Sequence, residues 1–501
     1  MIRLVAIAVV VLAGRLVAPC QSTFIVHMDS IQDGYAADGR SILETDSGYI
    51  ILGHQISNDG SGRTRCVMYR LGPDGGFIDR SEIGMGEPYD SYFGLFDPSS
   101  AWTDSGFTAI VHKWDEYASV IKLARFNGDG VIEEVTDVLD IDPLDSAVAG
   151  TRQLRPTIDG GYVFCGFTDP PDSYADAWLV KLDSSGAVQW EQNYGHPDQS
   201  YEAISVSQYP DGGYVLAGYR LPGNLVNLGF LIRTDSLGNQ IWRRHFGEHG
   251  GSWGAVRVAA DGGIITFSNY MEQVWPWWGQ QLLTKWDAQG SIVWQTHSHY
   301  GYDITAYDLE ILDDQRIVTC GRYAEWAELA LYSAEGDSLW SRHLKAFDYA
   351  VSHLPYDVEP TSDGGFVLTG GASQNIGDPT PGLETIFVIK TDSLGCVVPG
   401  CQNVGVQEYL MDLQNLLRVS PNPASDLVNI ALDLPEGGEV QGQVQAYLLD
   451  ASGRLVLAQE VQQNLNQLRA TFDVSALPAG TYYLHLRDAK RWLAGSKLVV
   501  E

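Results

Sequence analysis

Residues 211–218 read DGGYVLAG, and related copies of this stretch recur along the chain. The other copies begin at Asp46, Asp104, Asp159, Asp261, Asp313 and Asp363. Successive starts lie 50 to 58 residues apart. Asp-Gly beside an apolar, alternating run is a strong hairpin signal. A fixed period of this length is typical of a repeat architecture, so the chain is organised as seven related units.

A second motif follows each copy and predicts two more strands per unit. It reads WLVKLDSSGAVQW at 178–190 and FLIRTDSLGNQIW at 230–242, with seven residues from turn Asp to Trp. Four strands per unit, repeated seven times, predict an all-β, seven-bladed β-propeller over residues 21–402. We expect each terminal Trp to pack between adjacent blades and residues 24–28 to supply the outer strand of the last blade. An open β-solenoid is the alternative.

The repeats resemble propellers of the PQQ-like and kelch-like type, and the resemblance covers residues 40–400. It specifies fold far more than activity. The sialidase Asp-box is not met, because the spacing from Asp235 to Gly238 is one residue too long. No quinone-binding constellation can be assigned, so the resemblance implies no quinone.

A different module begins at Leu416, after a predicted linker at 403–415. Its alternating strands predict a small Ig-like β-sandwich over residues 416–501. Its motif residues are Pro421, Asn422, Pro423, Asp450, Gly453, Arg454, Leu477, Pro478, Gly480, Tyr482 and Lys497. Their order resembles the C-terminal sorting domain of type IX secretion substrates. That resemblance implies a partner, the type IX machinery, and a secreted protein or one at the outer-membrane surface of a Gram-negative bacterium. An ordinary Ig-like accessory domain is the alternative.

Residues 1–20 have the layout of a secretory signal peptide. Arg3 precedes an apolar run, and small residues lead to Cys20. Cleavage after Cys20 changes the formal charge from −32 to −34, because two arginines leave. Lipidation of Cys20 is the alternative. This acidity argues against nucleic-acid partners, and no later apolar run reaches the length of a membrane span. We expect a monomer.

Five cysteines remain after cleavage. Cys396 and Cys401 are candidates for a small disulfide loop in an oxidising, exported setting. Cys165 and Cys320 occupy matching repeat positions and are predicted to be buried strand residues. Cys66 has no evident partner.

No motif in the sequence identifies a catalytic site. Whether the chain is an enzyme stays open. Gly336-Asp337-Ser338-Leu339 spells a lipase-like motif but occupies a predicted third-to-fourth strand turn. Four acids precede the third unit: Asp137, Asp140, Asp142 and Asp145. A solvated acidic loop is the main interpretation and a Ca²⁺ site the alternative, so we predict no cofactor and assign no metal ligand.

Connections between the second and third strands, and between units, vary in length and emerge on one face. Variable loops on a rigid scaffold are where binding sites usually lie. Aromatic residues crowd this face: Trp253, Trp275, Trp277, Trp278 and Tyr302. We predict a non-catalytic module that binds a glycan or protein. The alternatives are a polysaccharide-degrading enzyme with an acidic site in the channel, and a structural or adhesive surface protein.

Overall fold

A computed structural model describes most of the repeat region and the C-terminal module. The described residues are 23–28, 35–57, 64–82, 100–103, 106–114, 119–128, 130–141, 148–170, 173–222, 228–246, 254–271, 278–298, 301–346, 350–374, 384–397, 416–434, 440, 442–451, 454–464, 467–488 and 492–501. The predicted signal peptide and the predicted linker lie outside them.

Seven antiparallel sheets, six with four strands and one with five, follow one another in the described part of the repeat region, and we number them in chain order. Sheet 1 holds β2 (Tyr35–Thr45), β3 (Gly48–Ser57), β4 (Thr64–Leu71) and β5 (Phe77–Glu82). Sheet 2 holds β6 (Ser100–Thr103), β7 (Gly106–Trp114), β8 (Ser119–Asn127) and β9 (Ile132–Ile141). Sheet 3 holds β10 (Val148–Pro156), β11 (Tyr162–Asp169), β12 (Asp176–Leu182) and β13 (Val188–Tyr194).

The next three sheets repeat this order. Sheet 4 holds β14 (Gln199–Gln208), β15 (Tyr214–Pro222), β16 (Leu228–Thr234) and β17 (Gln240–Phe246). Sheet 5 holds β18 (Ala255–Val258), β19 (Ile264–Met271), β20 (Trp278–Trp286) and β21 (Ile292–His297), with the short β22 (Gly301–Tyr302) added to β20. Sheet 6 holds β23 (Ile304–Ile311), β24 (Ile317–Tyr323), β25 (Trp326–Tyr332) and β26 (Ser338–Leu344).

Sheet 7 takes its fourth strand from the other end of the repeat region. Its first three strands are β27 (Ala350–Pro360), β28 (Phe366–Gln374) and β29 (Glu384–Thr391), and β1 (Phe24–Met28) pairs antiparallel with β29. The prediction that residues 24–28 supply the outer strand of the last unit is confirmed.

Apolar clusters join each sheet to the next. One such cluster combines Val163 and Leu179 of sheet 3 with Leu216 and Phe230 of sheet 4. Another combines Ile42 and Tyr49 of sheet 1 with Val367 and Val388 of sheet 7. The core of the repeat region therefore lies between the faces of successive sheets, and sheet 7 also packs on sheet 1.

The terminal tryptophans lie between neighbouring sheets, as predicted. Trp190, at the outer strand of sheet 3, contacts Gly238 in the turn between β16 and β17 of sheet 4. Trp340 of sheet 6 contacts Gly395, in the turn that follows β29 of sheet 7. A Cβ on either glycine would lie 2.7 Å from the ring, so the turn glycine makes room for the indole of the preceding sheet.

A cation from the third strand holds the Asp-Gly-Gly turn, a pairing that was not predicted from the sequence. Asp363 accepts a hydrogen bond from the Gly365 amide (3.0 Å) and another from Lys390 Nζ (2.9 Å). Lys181, Arg233 and Lys285 make the equivalent ion pairs in sheets 3, 4 and 5. The Asp therefore organises the turn backbone and pairs with a Lys or Arg two positions before the next turn residue.

The C-terminal module is built from two further four-stranded sheets. One holds β30 (Leu417–Ser420), β31 (Leu427–Asp433), β35 (Gln467–Asp473) and β34 (Gln462–Asn464). The other holds β33 (Leu455–Glu460), β32 (Gln445–Asp450), β36 (Gly480–Arg487) and β37 (Trp492–Val500). Val428, Phe472, Leu448 and Leu484 are buried in one core shared by both sheets.

No α-helix occurs among the described residues, so the all-β prediction is confirmed. Within that same part of the chain, no helix has the length and apolar character needed to cross a membrane. Cys165 and Cys320 are buried strand residues, as predicted, and Cys66 is a buried free thiol. Cys396 is disulfide-bonded; Cys401, its predicted partner, lies outside the described residues.

Candidate functional site

A cavity of about 60 Å³ lies among the first strands of six sheets, and we call it the inner cavity. It is lined by Arg40, Ser41, Gln153, Arg155, Ile204, Ser205, Gly254, Ala255, Tyr307, Asp308, Tyr356, Asp357 and Glu359. Side chains two positions apart on one strand share a face. For that reason Asp308 and Glu310 point the same way on β23, as do Asp357 and Glu359 on β27.

A β-bulge recurs in five of these first strands. The extra residues are Arg40, Arg152, Ile204, Tyr307 and Tyr356, at equivalent places in sheets 1, 3, 4, 6 and 7. A bulge redirects a side chain and breaks the alternation of the strand. Four of the five bulged residues consequently line the inner cavity.

The two bulged tyrosines meet at the inner cavity. Their rings pack edge to face with centroids 5.1 Å apart, and the Arg40 guanidinium lies 4.0 Å over the Tyr356 ring. Arg40 also donates to Asp38 at 2.6 Å. Burial raises the pKa of Tyr307 to about 12, so this hydroxyl stays protonated at neutral pH.

Arginines from sheets 3 and 5 face the acids of sheet 6. Arg257 donates to Glu310 Oε1 at 2.6 Å and to Asp308 Oδ1 at 3.0 Å. Arg155 reaches the same Glu310 oxygen at 2.9 Å. Charge-assisted bonds of this kind are short and strong, and they tie β10 and β18 to one carboxylate on β23.

Burial, followed by repulsion among neighbours, raises the pKa of three carboxyls here, those of Glu310, Asp357 and Glu359. Burial raises the pKa of Glu310 to about 7 although Arg257 opposes the shift. Burial, with repulsion from Asp308, raises the pKa of Asp357 well above its ordinary value. Burial, with repulsion from Glu310, does the same to the pKa of Glu359. Glu310, whose pKa lies near 7, can therefore exchange a proton close to neutral pH.

The sequence carries a signal for this cluster, although the cluster was not among the predicted sites. Tyr307-Asp308-Leu309-Glu310 and Tyr356-Asp357-Val358-Glu359 repeat the pattern Tyr-Asp-x-Glu in two successive units. In the equivalent strand of sheet 4 the residues are Ile204-Ser205-Val206-Ser207. One alternative in the sequence analysis, a polysaccharide-degrading enzyme with an acidic site, requires titratable side chains that lie close together. The carboxyl groups of this cluster do lie close together.

Two of the aromatic ligand-binding candidates are brought together. Trp278 and Tyr302 are register partners in the pairing of β20 with β22. The other candidates, Trp253, Trp275 and Trp277, lie outside the described residues.

The remaining sequence candidates fall at surface positions. Asp137 and Asp140 are exposed on β9, where Asp137 pairs with Lys122, whereas Asp142 and Asp145 are outside the described residues. Among the described residues no three His, Cys, Asp or Glu side chains are arranged to hold a metal ion. Ser338 begins β26 directly after the turn of Gly336, as predicted for the lipase-like motif.

Sorting motif residues make two sets of contacts in the C-terminal module, one on the last strand and one between β32 and β36. Asn422 accepts from the Val499 amide at 2.9 Å and donates to the Lys497 carbonyl at 2.8 Å. Asp450 and Tyr482 are register partners, and the Tyr482 hydroxyl donates to the Pro478 carbonyl at 2.7 Å. Gly453 lies outside the described residues.

Residues 418–501 match the family model of the secretion system C-terminal sorting domain. The match lies within the predicted module and supports the prediction of a type IX secretion substrate that is exported to the cell surface or secreted. No curated protein matches the chain.

Solved structures give only remote similarities. PorZ, a surface component of the type IX secretion system of Porphyromonas gingivalis, is 12% identical with a TM-score of 0.32, over 91% of this chain and 69% of that one. A puromycin-hydrolyzing peptidase of Mycobacterium tuberculosis is 12% identical with a TM-score of 0.45, over 85% and 64%. A Lactobacillus plantarum protein is 10% identical with a TM-score of 0.39, over 72% and 98%. The chain thus spans about two thirds of the first two, and TM-scores this low carry no argument about activity.

Proposed function

We propose that this protein is a type IX secretion substrate whose residues 21–402 form a seven-bladed β-propeller that binds an extracellular glycan or protein. The backbone pairing of β20 with β22 carries the binding role, because it places two of the predicted aromatic candidates, Trp278 and Tyr302, at one register position. Aromatic residues suit sugar rings and protein anchors.

Sheet packing supports the propeller part of the proposal. Each of the seven sheets has the same strand order, and successive sheets share apolar cores, including sheets 7 and 1. The two sheets of residues 416–501, with their shared core, support an Ig-like sandwich as the export module.

The binding role is tested with a glycan array and a pull-down, using the protein without residues 1–20. We expect Trp278→Ala and Tyr302→Ala to weaken capture of a ligand by tenfold or more. Tyr174→Ala, at an exposed tyrosine of sheet 3, is the matched control. Capture that is unchanged in both variants would count against this face, and cell adhesion without any ligand would favour the structural role.

Truncation before Leu416 tests the export route. Without the module we expect the protein to accumulate in the periplasm, because the matched sorting domain is gone. Secretion of the truncated protein at the normal level would refute the assignment.

A second candidate, an enzyme acting on polysaccharide, is favoured by the carboxyl cluster at the inner cavity. A pKa near 7 suits Glu310 to the role of general acid, and paired carboxyls serve glycoside hydrolysis. Reducing-end release from a polysaccharide panel should disappear in Glu310→Gln and decline as pH rises above about 7. Equal release by Glu310→Gln would show that the carboxyl has no catalytic part.

A further inference from the structure

We propose that one end of sheet 4 binds the oxyanion of an acidic sugar, a carboxylate or a sulfate group, between Arg220 and Arg243. This is the end at which β15 ends and β16 begins. The inference rests on the proposed function for the carbohydrate class of the ligand. It adds the charge of that ligand and a second set of residues.

A fully buried tyrosine, Tyr201, is the centre around which the site is assembled. Its hydroxyl lies 2.9 Å from His245 Nε2, and the Arg243 guanidinium lies 4.7 Å from the centre of its ring. Arg220 on β15 is its register partner, and the centroid of the His196 ring is 6.4 Å from that of Tyr201. Two strands and the segment before β14 therefore bring four nitrogen-bearing side chains around one ring.

Neither arginine forms an ion pair with a described residue, although the chain has 63 Asp and Glu residues and only 31 Lys and Arg residues. Arg243 donates from Nε to Gln240 Oε1 at 3.1 Å and from Nη1 to the Gly195 carbonyl at 3.2 Å. Arg220 donates from Nη1 to Gln199 Oε1 at 2.7 Å. All three acceptors are uncharged, so these contacts orient the two guanidinium groups without neutralising them.

Like charges repel one another at this end of the sheet. Burial lowers the pKa of His245, and the charges of Arg220, Arg243 and His196 lower it further. Asp176 is a carboxyl group close to Arg243, and burial, opposed by Arg243, raises its pKa. An anion placed among these groups would relieve the repulsion between the guanidinium groups.

The side chains of the site are held in place as hydrogen-bond donors. His196 Nδ1 accepts from the Asp198 amide at 3.2 Å, which leaves the proton of the neutral ring on Nε2. A guanidinium presents its N–H groups in a planar fork that matches the oxygens of a carboxylate or sulfate group. Because Arg243 also stacks on Tyr201, the plane of its fork is fixed before a ligand arrives.

The surroundings of the site favour a sugar as the carrier of the anion. Trp278 begins β20, the strand of sheet 5 that is equivalent to β16, and pairs with Tyr302 of β22. Aromatic residues suit sugar rings, so an oligosaccharide could contact both sheets. The net charge of −32 opposes an acidic protein or a long polyanion, whereas a sugar with one charged group avoids most of that repulsion.

The test uses the protein without residues 1–20, sodium glucuronate and glucose 6-sulfate as probes, and glucose as the neutral reference, all at equal ionic strength. We expect a saturable heat of binding and a rise in Tm with at least one anionic sugar and with no glucose effect. Arg243→Gln should weaken binding about tenfold or more, because charge-assisted hydrogen bonds are lost.

Arg244→Gln is the matched control, because it removes the same charge from the next position of β17. Arg244 instead stacks on Trp242 and donates to the Gln289 carbonyl at 2.9 Å. Its loss should change the affinity less than about twofold, since charges in solvent are screened. Arg220→Gln provides a second test should Arg243→Gln fail to fold, and it should also weaken binding.

Three results would overturn the proposal: no heat of binding with either anionic sugar, equal binding of glucose, or equal losses in Arg243→Gln and Arg244→Gln. Tighter binding of polyglutamate than of either sugar would overturn the carbohydrate ligand in favour of an acidic protein. Glycan capture that depends on Trp278 and Tyr302, without binding of an acidic sugar, would overturn this inference alone and leave the proposed function standing.

Discussion

Glycines in equivalent turns can share one backbone conformation and still have different neighbours. Gly160 and Gly238 both have φ of +79°, but a Cβ would meet nothing within 4 Å at Gly160 and Trp190 at 2.7 Å at Gly238. Gly160→Ala should cost about 1–2 kcal/mol for left-handed backbone. Gly238→Ala should cost about 1–3 kcal/mol more, because the indole must move. Urea unfolding of both variants measures the difference, and equal losses would deny Trp190 a packing role.

The ion pair between the turn Asp and the third-strand cation should contribute most to the free energy of unfolding where it is buried. Lys390 has no exposed surface and lies 2.9 Å from Asp363, whereas the side chain of Lys285 is 19% exposed and its partner Asp261 is 58% exposed. Lys390→Met should lower the free energy of unfolding by about 1–3 kcal/mol, since the partly buried Asp363 carboxylate loses a fully buried partner. Lys285→Met should cost less than about 1 kcal/mol. Urea unfolding compares the two variants, and a reversed order would mean that burial does not govern these pairs.

At the scale of elements, a buried imidazole links the end of sheet 6 to β27. His353 Nδ1–H donates to the Glu325 carbonyl at 2.7 Å, and Nε2 accepts from the Ala346 amide at 3.0 Å. Burial lowers the pKa of His353 to about 4. The unfolded chain therefore takes up a proton first, and stability present above about pH 6.5 is lost as pH falls toward 4.

This loss should reach about 3 kcal/mol for the His353 contribution. The free energy of unfolding, measured in urea from pH 7 to pH 4, should fall less steeply in His353→Gln than in the parent protein. His27→Gln, at an exposed histidine of β1, serves as control. Parallel pH profiles for the parent protein and His353→Gln would show that His353 does not contribute to the pH dependence of stability.

Hairpins were predictable from the sequence because their turns are local. Even the degenerate copy at 313–321 forms its turn, with Gln315 at φ +67° where other copies have glycine. The carboxyl cluster was not predicted, although Tyr-Asp-x-Glu occurs twice. Its convergence depends on bulges in separate strands and on cross-sheet contacts such as Arg155–Glu310, which join residues 155 positions apart. The partners of Asp159 and Asp363 were missed for a different reason: each is a cation on the third strand of the same sheet, 22 or 27 positions along the chain.

For the whole molecule, β1 is the element that joins the ends of the repeat region. Phe24 pairs with Lys390 of sheet 7 and packs edge to face on Tyr49 of sheet 1, with ring centroids 5.5 Å apart. Phe24→Ala should lower the free energy of unfolding by about 2–4 kcal/mol. Ile158→Ala, at a side chain with 71% exposure, should change it by less than about 0.5 kcal/mol. Equal stability of the two variants would show that this junction is not a stabilising contact.

The pairing of β1 with β29 also has a consequence for timing. Phe24, in the first strand of the repeat region, pairs with Lys390, which is synthesised 366 positions later. Closing so long a segment carries a large entropy cost and slows folding. Synthesis of the sorting domain begins soon after residue 391, so the chain becomes able to fold completely only as its export signal is being finished.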